Sequence, residues 1–231
     1  MIWYTSRMNF SAWFAVSLIF TLAPQPISRG APEGTALSLF DDFRPGWKRH
    51  WMEREMSDRS TSYEVIEAEG ELVLRARSAG AASALWRALS FHPTERGTLS
   101  WRWKVEKSLT GNDKERTKSG DDYAARLMII FDPELFTLKT QAICYVWAAE
   151  EPVGSVYSNP YAANVATIVL RSGDERSGRW VSENRNFVRD FRQVFGRSPE
   201  MVTAIAIIVD TDNTGTRATA WFDDLQVDQL E

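Results

Sequence analysis

Two acidic stretches hold the residues best suited to chemistry. Asp210, Asp212 and Thr214 put oxygen donors at alternate positions of the polar loop 210–215. Hard cations such as Ca²⁺ take roughly six to eight oxygens, so this spacing suits one. Gly215 matches the glycine of an EF-hand loop, but Trp221 stands where the closing Glu belongs, and both flanks read as strands. Asp, Asn and Gly also build turns unaided, and a plain polar turn is the favoured reading. A metal would need a further carboxylate, with Asp41, Asp42, Asp223 and Asp224 as candidate donors. The second stretch, Asp121, Asp122 and Arg126, offers paired acids beside a guanidinium. That set suits a polar ligand or acid–base work, and also a structural ion pair around a half-buried Arg.

Aromatic side chains supply a third set. Flat rings beside polar groups suit sugar rings or extended apolar ligands. Tyr157, Tyr161 and Trp180 lie in or beside polar loops and are the ligand candidates, whereas Trp101 and Trp103 share an apolar face with Leu99 and read as core. Cys144, the one cysteine, sits in an apolar run and reads as a small buried hydrophobe. No zinc signature, phosphate loop or nucleophile elbow is present. A hydrolase using acids such as Asp121, Asp122 or Asp212 stays open, because carboxylate pairs carry no fixed sequence spacing.

The elements that must position these groups are short strands. Leu99, Trp101, Trp103 and Val105 alternate with Ser100, Arg102 and Lys104, the period of a half-buried strand. Residues 203–209 are apolar on both faces, as a central strand should be. Residues 82–89 are ambiguous by propensity and are taken as strand from their neighbours. Residues 187–195 place Phe187, Val188, Phe191, Val194 and Phe195 on one helical face, with Gly196 as the stop. The polar run 106–120 has only Leu109 to bury and is expected to be a mobile surface loop.

About eleven short strands and one amphipathic helix make an all-β, jelly-roll-type β-sandwich the expected fold. Both chain ends carry a Phe-Asp-Asp motif, at 40–42 and 222–224. Each places an acid in an apolar face (Leu39, Asp41, Phe43; Trp221, Asp223, Leu225), so the first and last strands are expected to lie side by side and share partners for these acids.

The 231 residues suit one domain behind a leader, since Arg7 precedes the uncharged apolar run 10–23, too short to span a bilayer comfortably. Residues 1–30 are therefore expected to be a signal peptide cut between 30 and 36, leaving a single domain over 37–231 in the periplasm or outside the cell, with no integral membrane span. The net charge of −4, more acidic once Arg7 and Arg29 leave, argues against nucleic acid or an anionic membrane as partner.

The combination of Trp101-x-Trp103, Gly120-Asp121-Asp122-x-Ala124-x-Arg126, Tyr145-x-Trp147, Trp180 and the 210–214 loop resembles a bacterial secreted family, domain of unknown function 3047. The family implies no activity. The terminal Phe-Asp-Asp motifs and the Glu69-Gly70 turn are also similar to concanavalin-like and carbohydrate-binding jelly rolls, an analogy of fold. The expectation is a non-catalytic envelope module binding a glycan or another polar ligand. Its rivals are a carboxylate-based glycan-active enzyme and a structural partner in an envelope complex.

Overall fold

Thirteen strands and one α-helix follow one another in the computed structural model, which describes residues 38–131 and 140–229. The expected leader lies outside the described residues, as does Asp132–Pro133, a pair that reads as a turn in the sequence. Among the described residues, no helix is long and apolar enough to cross a membrane. In chain order the strands are β1 (Ser38–Asp41), β2 (Met52–Glu55), β3 (Ser62–Ala68), β4 (Glu71–Ala79), β5 (Ser83–Phe91), β6 (Thr98–Val105) and β7 (Ala125–Phe131). They continue with β8 (Gln141–Ala148), β9 (Val156–Ser158), β10 (Val165–Ser172), β11 (Val181–Asn186), helix α1 (Phe187–Phe195), β12 (Val202–Ile208) and β13 (Arg217–Asp228).

Six strands form one sheet, ordered β11-β6-β13-β4-β3 with β1 also on β13; seven form the other, ordered β2-β5-β12-β7-β8-β10-β9. The architecture is the expected β-sandwich. Two strands were not anticipated, β9 and β11. The first is three residues long, and the second, Val-Ser-Glu-Asn-Arg-Asn, is an edge strand with no apolar stripe, so neither shows an apolar alternation in its sequence.

The inner faces meet through large rings. Trp101 packs on Tyr145 at 5.5 Å between centroids and Trp103 on Trp147 at 5.9 Å, which puts all three tryptophans in the core. Asn186 caps α1 by accepting from the Arg189 amide at 2.7 Å, and Gly196 ends it at a φ of 69°. Phe187, Val188 and Phe191 are buried, with Phe191 4.6 Å from Phe131.

The terminal strands do pair, Ser38 to Asp228 through Asp41 to Leu225. Their acids do not share partners. Asp41 accepts from Trp51 Nε1 and Arg87 Nη1, both at 2.7 Å, whereas Asp223 pairs with Arg102. The expected Trp221–Asp223–Leu225 face also fails. A register shift between Asp223 and Gln226, with Asp224 at a φ of 52°, is a β-bulge that flips the alternation. Trp221 and Asp223 stay on the outer face with Arg102, while Leu225 turns into the core.

The run 106–120 is docked, contrary to the expectation of a mobile loop. Glu115 is 2% exposed, and its carboxylate accepts the backbone N–H groups of Ala149, Glu150 and Glu151 at 2.7–2.9 Å. Three charge-assisted bonds anchor a segment that has almost no apolar side chains.

Candidate functional site

The two acidic stretches converge on one site. Antiparallel pairing brings Ile208, at the end of β12, beside Arg126, at the start of β7. The chain entering β7 and the loop leaving β12 therefore sit together at one end of the seven-stranded sheet. Arg126 is 4% exposed and donates from Nε to Asp210 Oδ1 at 2.9 Å, from Nη1 to Asp121 Oδ1 at 3.3 Å, and from Nη2 to Asp210 Oδ2 and the Asp121 carbonyl. Its guanidinium lies 4.3 Å from the centre of the Tyr123 ring. Asn159 Nδ2 donates to the other Asp121 oxygen at 2.8 Å.

Asp122 holds the 210–215 loop. It accepts from Asn213 Nδ2 at 3.0 Å and from the Asn213 and Thr214 backbone amides at 3.3 and 2.7 Å. Carboxylate oxygens of Asp122, Asp210 and Asp212 lie within 4.8 Å of one another. The extra carboxylate that a cation would need is thus Asp122, not Asp41, Asp42, Asp223 or Asp224. Thr214, the third sequence candidate, turns its hydroxyl to Thr216 at 2.7 Å.

Four carboxylates therefore face one guanidinium. Burial pushes the Asp210 carboxyl well above its ordinary range and raises that of Asp121, against the opposing pull of Arg126. Asp212 is exposed, yet partial loss of hydration and the Asp122 charge raise it as well. Asp121, Asp122 and Asp210 each spend both oxygens on donors. Acids engaged in this way hold loops together and are poorly placed to move protons.

The ring candidates divide. The Tyr157 hydroxyl is 2.7 Å from that of Tyr123, and Arg116 lies 4.7 Å from the Tyr157 ring centre. The Tyr161 hydroxyl reaches the Lys118 carbonyl at 2.8 Å and Asn213 Oδ1 at 2.6 Å, and Lys118 Nζ lies 5.2 Å from its ring. Both tyrosines are thus built into the acidic end. Cys144 is buried, and that burial pushes its thiol up to about 12, so it is inert at neutral pH.

Trp180 lies elsewhere, on the outer face of the six-stranded sheet. Val181 pairs with Trp103, so Trp180, one residue earlier, stands beside Lys104. Lys104 in turn pairs with Trp221, Trp221 with Arg75, and Arg75 with Glu64. A row Trp180–Lys104–Trp221–Arg75–Glu64 therefore crosses the sheet at right angles to its strands. Lys104 Nζ lies 5.1 Å from the Trp180 ring centre and 5.0 Å from that of Trp221, and the Arg102 guanidinium is 4.7 Å from Trp180. Both indoles are half-buried. Trp221 was not foreseen as a site residue, since a Trp flanked by Ala220 and Phe222 reads as core; the cue was its parity with Asp223, which the bulge preserves.

Comparison with solved structures gives distant likenesses. One is the family 11 carbohydrate-binding module from Clostridium thermocellum in complex with a β-1,3-1,4-mixed-linked tetrasaccharide, at 10% identity, covering 84% of this chain and 96% of that one, with a TM-score of 0.43. Another is endoglucanase 3 of Trichoderma harzianum, from family GH12, at 11% identity, covering 87% and 100%, with a TM-score of 0.45. A third is the cellulose-induced protein Cip1, at 11% identity, covering 82% and 96%, with a TM-score of 0.46. At these values the likeness says nothing about ligands or chemistry in this chain. A search of curated proteins gives no match. A family model does match, over residues 46–226, and the chain belongs to that family, described as Protein of unknown function (DUF3047).

Proposed function

We propose that this protein is an exported, non-catalytic module of the cell envelope that binds carbohydrate on the outer face of its six-stranded sheet. The observation that carries this reading is the Trp180–Lys104–Trp221 row, which puts two half-buried indoles and their polar neighbours on one regular surface. Indole faces bury the C–H face of a sugar ring, and neighbouring charged groups take its hydroxyls. The non-catalytic part rests on the acidic end, where Asp121, Asp122 and Asp210 are each held by two or more donors.

Affinity electrophoresis in gels containing soluble polysaccharides tests the reading. The processed protein should be retarded by at least one of them, and no reducing ends should be released on prolonged incubation. Migration unchanged in every polysaccharide would count against binding; release of reducing ends that Asp212→Asn abolishes would favour an enzyme. Edman sequencing of protein recovered from the periplasm should begin between residues 31 and 37, and an intact N-terminus in the cytoplasm would contradict export.

A further inference from the structure

Resting on the carbohydrate-binding reading, we infer that the ligand is an uncharged, extended oligosaccharide that crosses the strands, stacking on Trp180 and Trp221 and donating hydroxyls to the Asp223–Asp224 bulge. The direction comes from register. Trp180 and Trp221 occupy one row on either side of Lys104, two strand spacings or about 10 Å apart. That span is comparable to the distance between alternate rings of an extended pyranose chain, so both indoles can serve one molecule lying along the row.

The charge of the ligand follows from which groups around the row are already paired. Lys104 binds Glu69 at 2.9 Å, and Arg102 binds Glu71, Asp223 and Asp224. Arg75, the next member of the row, and Arg77 beside it both bind Glu64. Four cations thus face five acids, an excess of one negative charge, and each of the four already has a carboxylate. A uronate, sulfate or phosphate group on the row would meet net repulsion and would have to displace a carboxylate from Lys104, Arg102 or Arg75.

Polar capacity at the bulge is left unused. Asp223 is 3% exposed, and its enclosed Oδ1, like the enclosed Nε of its partner Arg102, has no hydrogen-bond partner, so Asp223 itself lies beneath the surface. Next to it, the Asp224 side chain is 53% exposed and held at the tip of the bulge by a left-handed backbone, φ 52°. Neutral hydroxyls are donors that add no charge, and Asp224 is the carboxylate of the bulge that they can reach.

The test is affinity electrophoresis of the processed protein against an uncharged set (mixed-linked glucan, xyloglucan, galactomannan) and an acidic set (polygalacturonate, alginate). The inference expects retardation by a member of the uncharged set alone, with affinity changing less than about twofold up to about 0.5 M NaCl. Trp180→Ala and Trp221→Ala should each weaken binding by about tenfold or more, with Trp221→Phe keeping part of it. Asp224→Asn should weaken it severalfold, and melting curves check that every variant is folded. Retention by the acidic set with steep salt dependence would overturn the inference while leaving carbohydrate binding intact. Uncharged-set binding that both alanine variants preserve would move the site elsewhere and also overturn it. Binding to neither set would remove the underlying reading itself.

Discussion

At the scale of single residues, Arg126 is the group on which the acidic end depends. Removing it leaves Asp121 and Asp210 buried without their counter-ion, so Arg126→Ala should cost about 3–5 kcal/mol, read as a shift in the urea midpoint. A loss under about 1 kcal/mol would mean the pairs are weak. Asp212 should behave in the opposite way. A carboxyl whose folded pKa is raised contributes stability in its protonated form; that contribution is complete below the unfolded value of 3.8 and is lost as pH rises through the folded value. Asp212→Asn should therefore match the parent in acid and gain up to about 1 kcal/mol at neutral pH, a small effect because the side chain is exposed. Melting temperature should be the same with calcium and with EDTA. A calcium-dependent rise that Asp212→Asn abolishes would instead establish a cation between Asp122, Asp210 and Asp212. The sequence held these acids as two separate candidates; nothing local says that Asp210 reaches Arg126, because that contact follows from β12 lying beside β7.

At the scale of elements, legibility followed burial. β6 was plain because one face is core and the other wet, and α1 because Phe187, Val188 and Phe191 recur on one side between Asn186 and Gly196. β11 was hidden because its role is to pair with β6 at an edge, which needs backbone and no apolar stripe. The bulge at Asp224 was hidden too, since a left-handed non-glycine residue inside a strand leaves no mark in the pattern. The run 106–120 was misread because its anchor is a charged residue whose partners are backbone amides more than thirty positions away. Limited proteolysis of the parent should spare this run. Glu115→Ala, which strands three N–H groups, should open it to cleavage and cost about 2–3 kcal/mol. Early nicking of the parent there would show that the docking is weak.

At the scale of the whole molecule, the last strand ties the six-stranded sheet together: β13 pairs with β1, β4 and β6. Removing the chain after Ala220 should abolish cooperative unfolding altogether, and a truncated protein with a normal melt would contradict that order of strands. The same sheet has a Trp-lined core face and a Trp-bearing outer face, and only the outer one is open to a ligand. The most direct test is a two-dimensional NMR titration of the indole Nε1–H signals of the processed protein, which keeps eight of the ten tryptophans, with an uncharged oligosaccharide. The account predicts that the resonances of Trp180 and Trp221 move together along one binding curve while those of Trp101, Trp103 and Trp147 stay in place. Saturable shifts confined to other tryptophans, or no shifts at any concentration of a panel of such oligosaccharides, would contradict it.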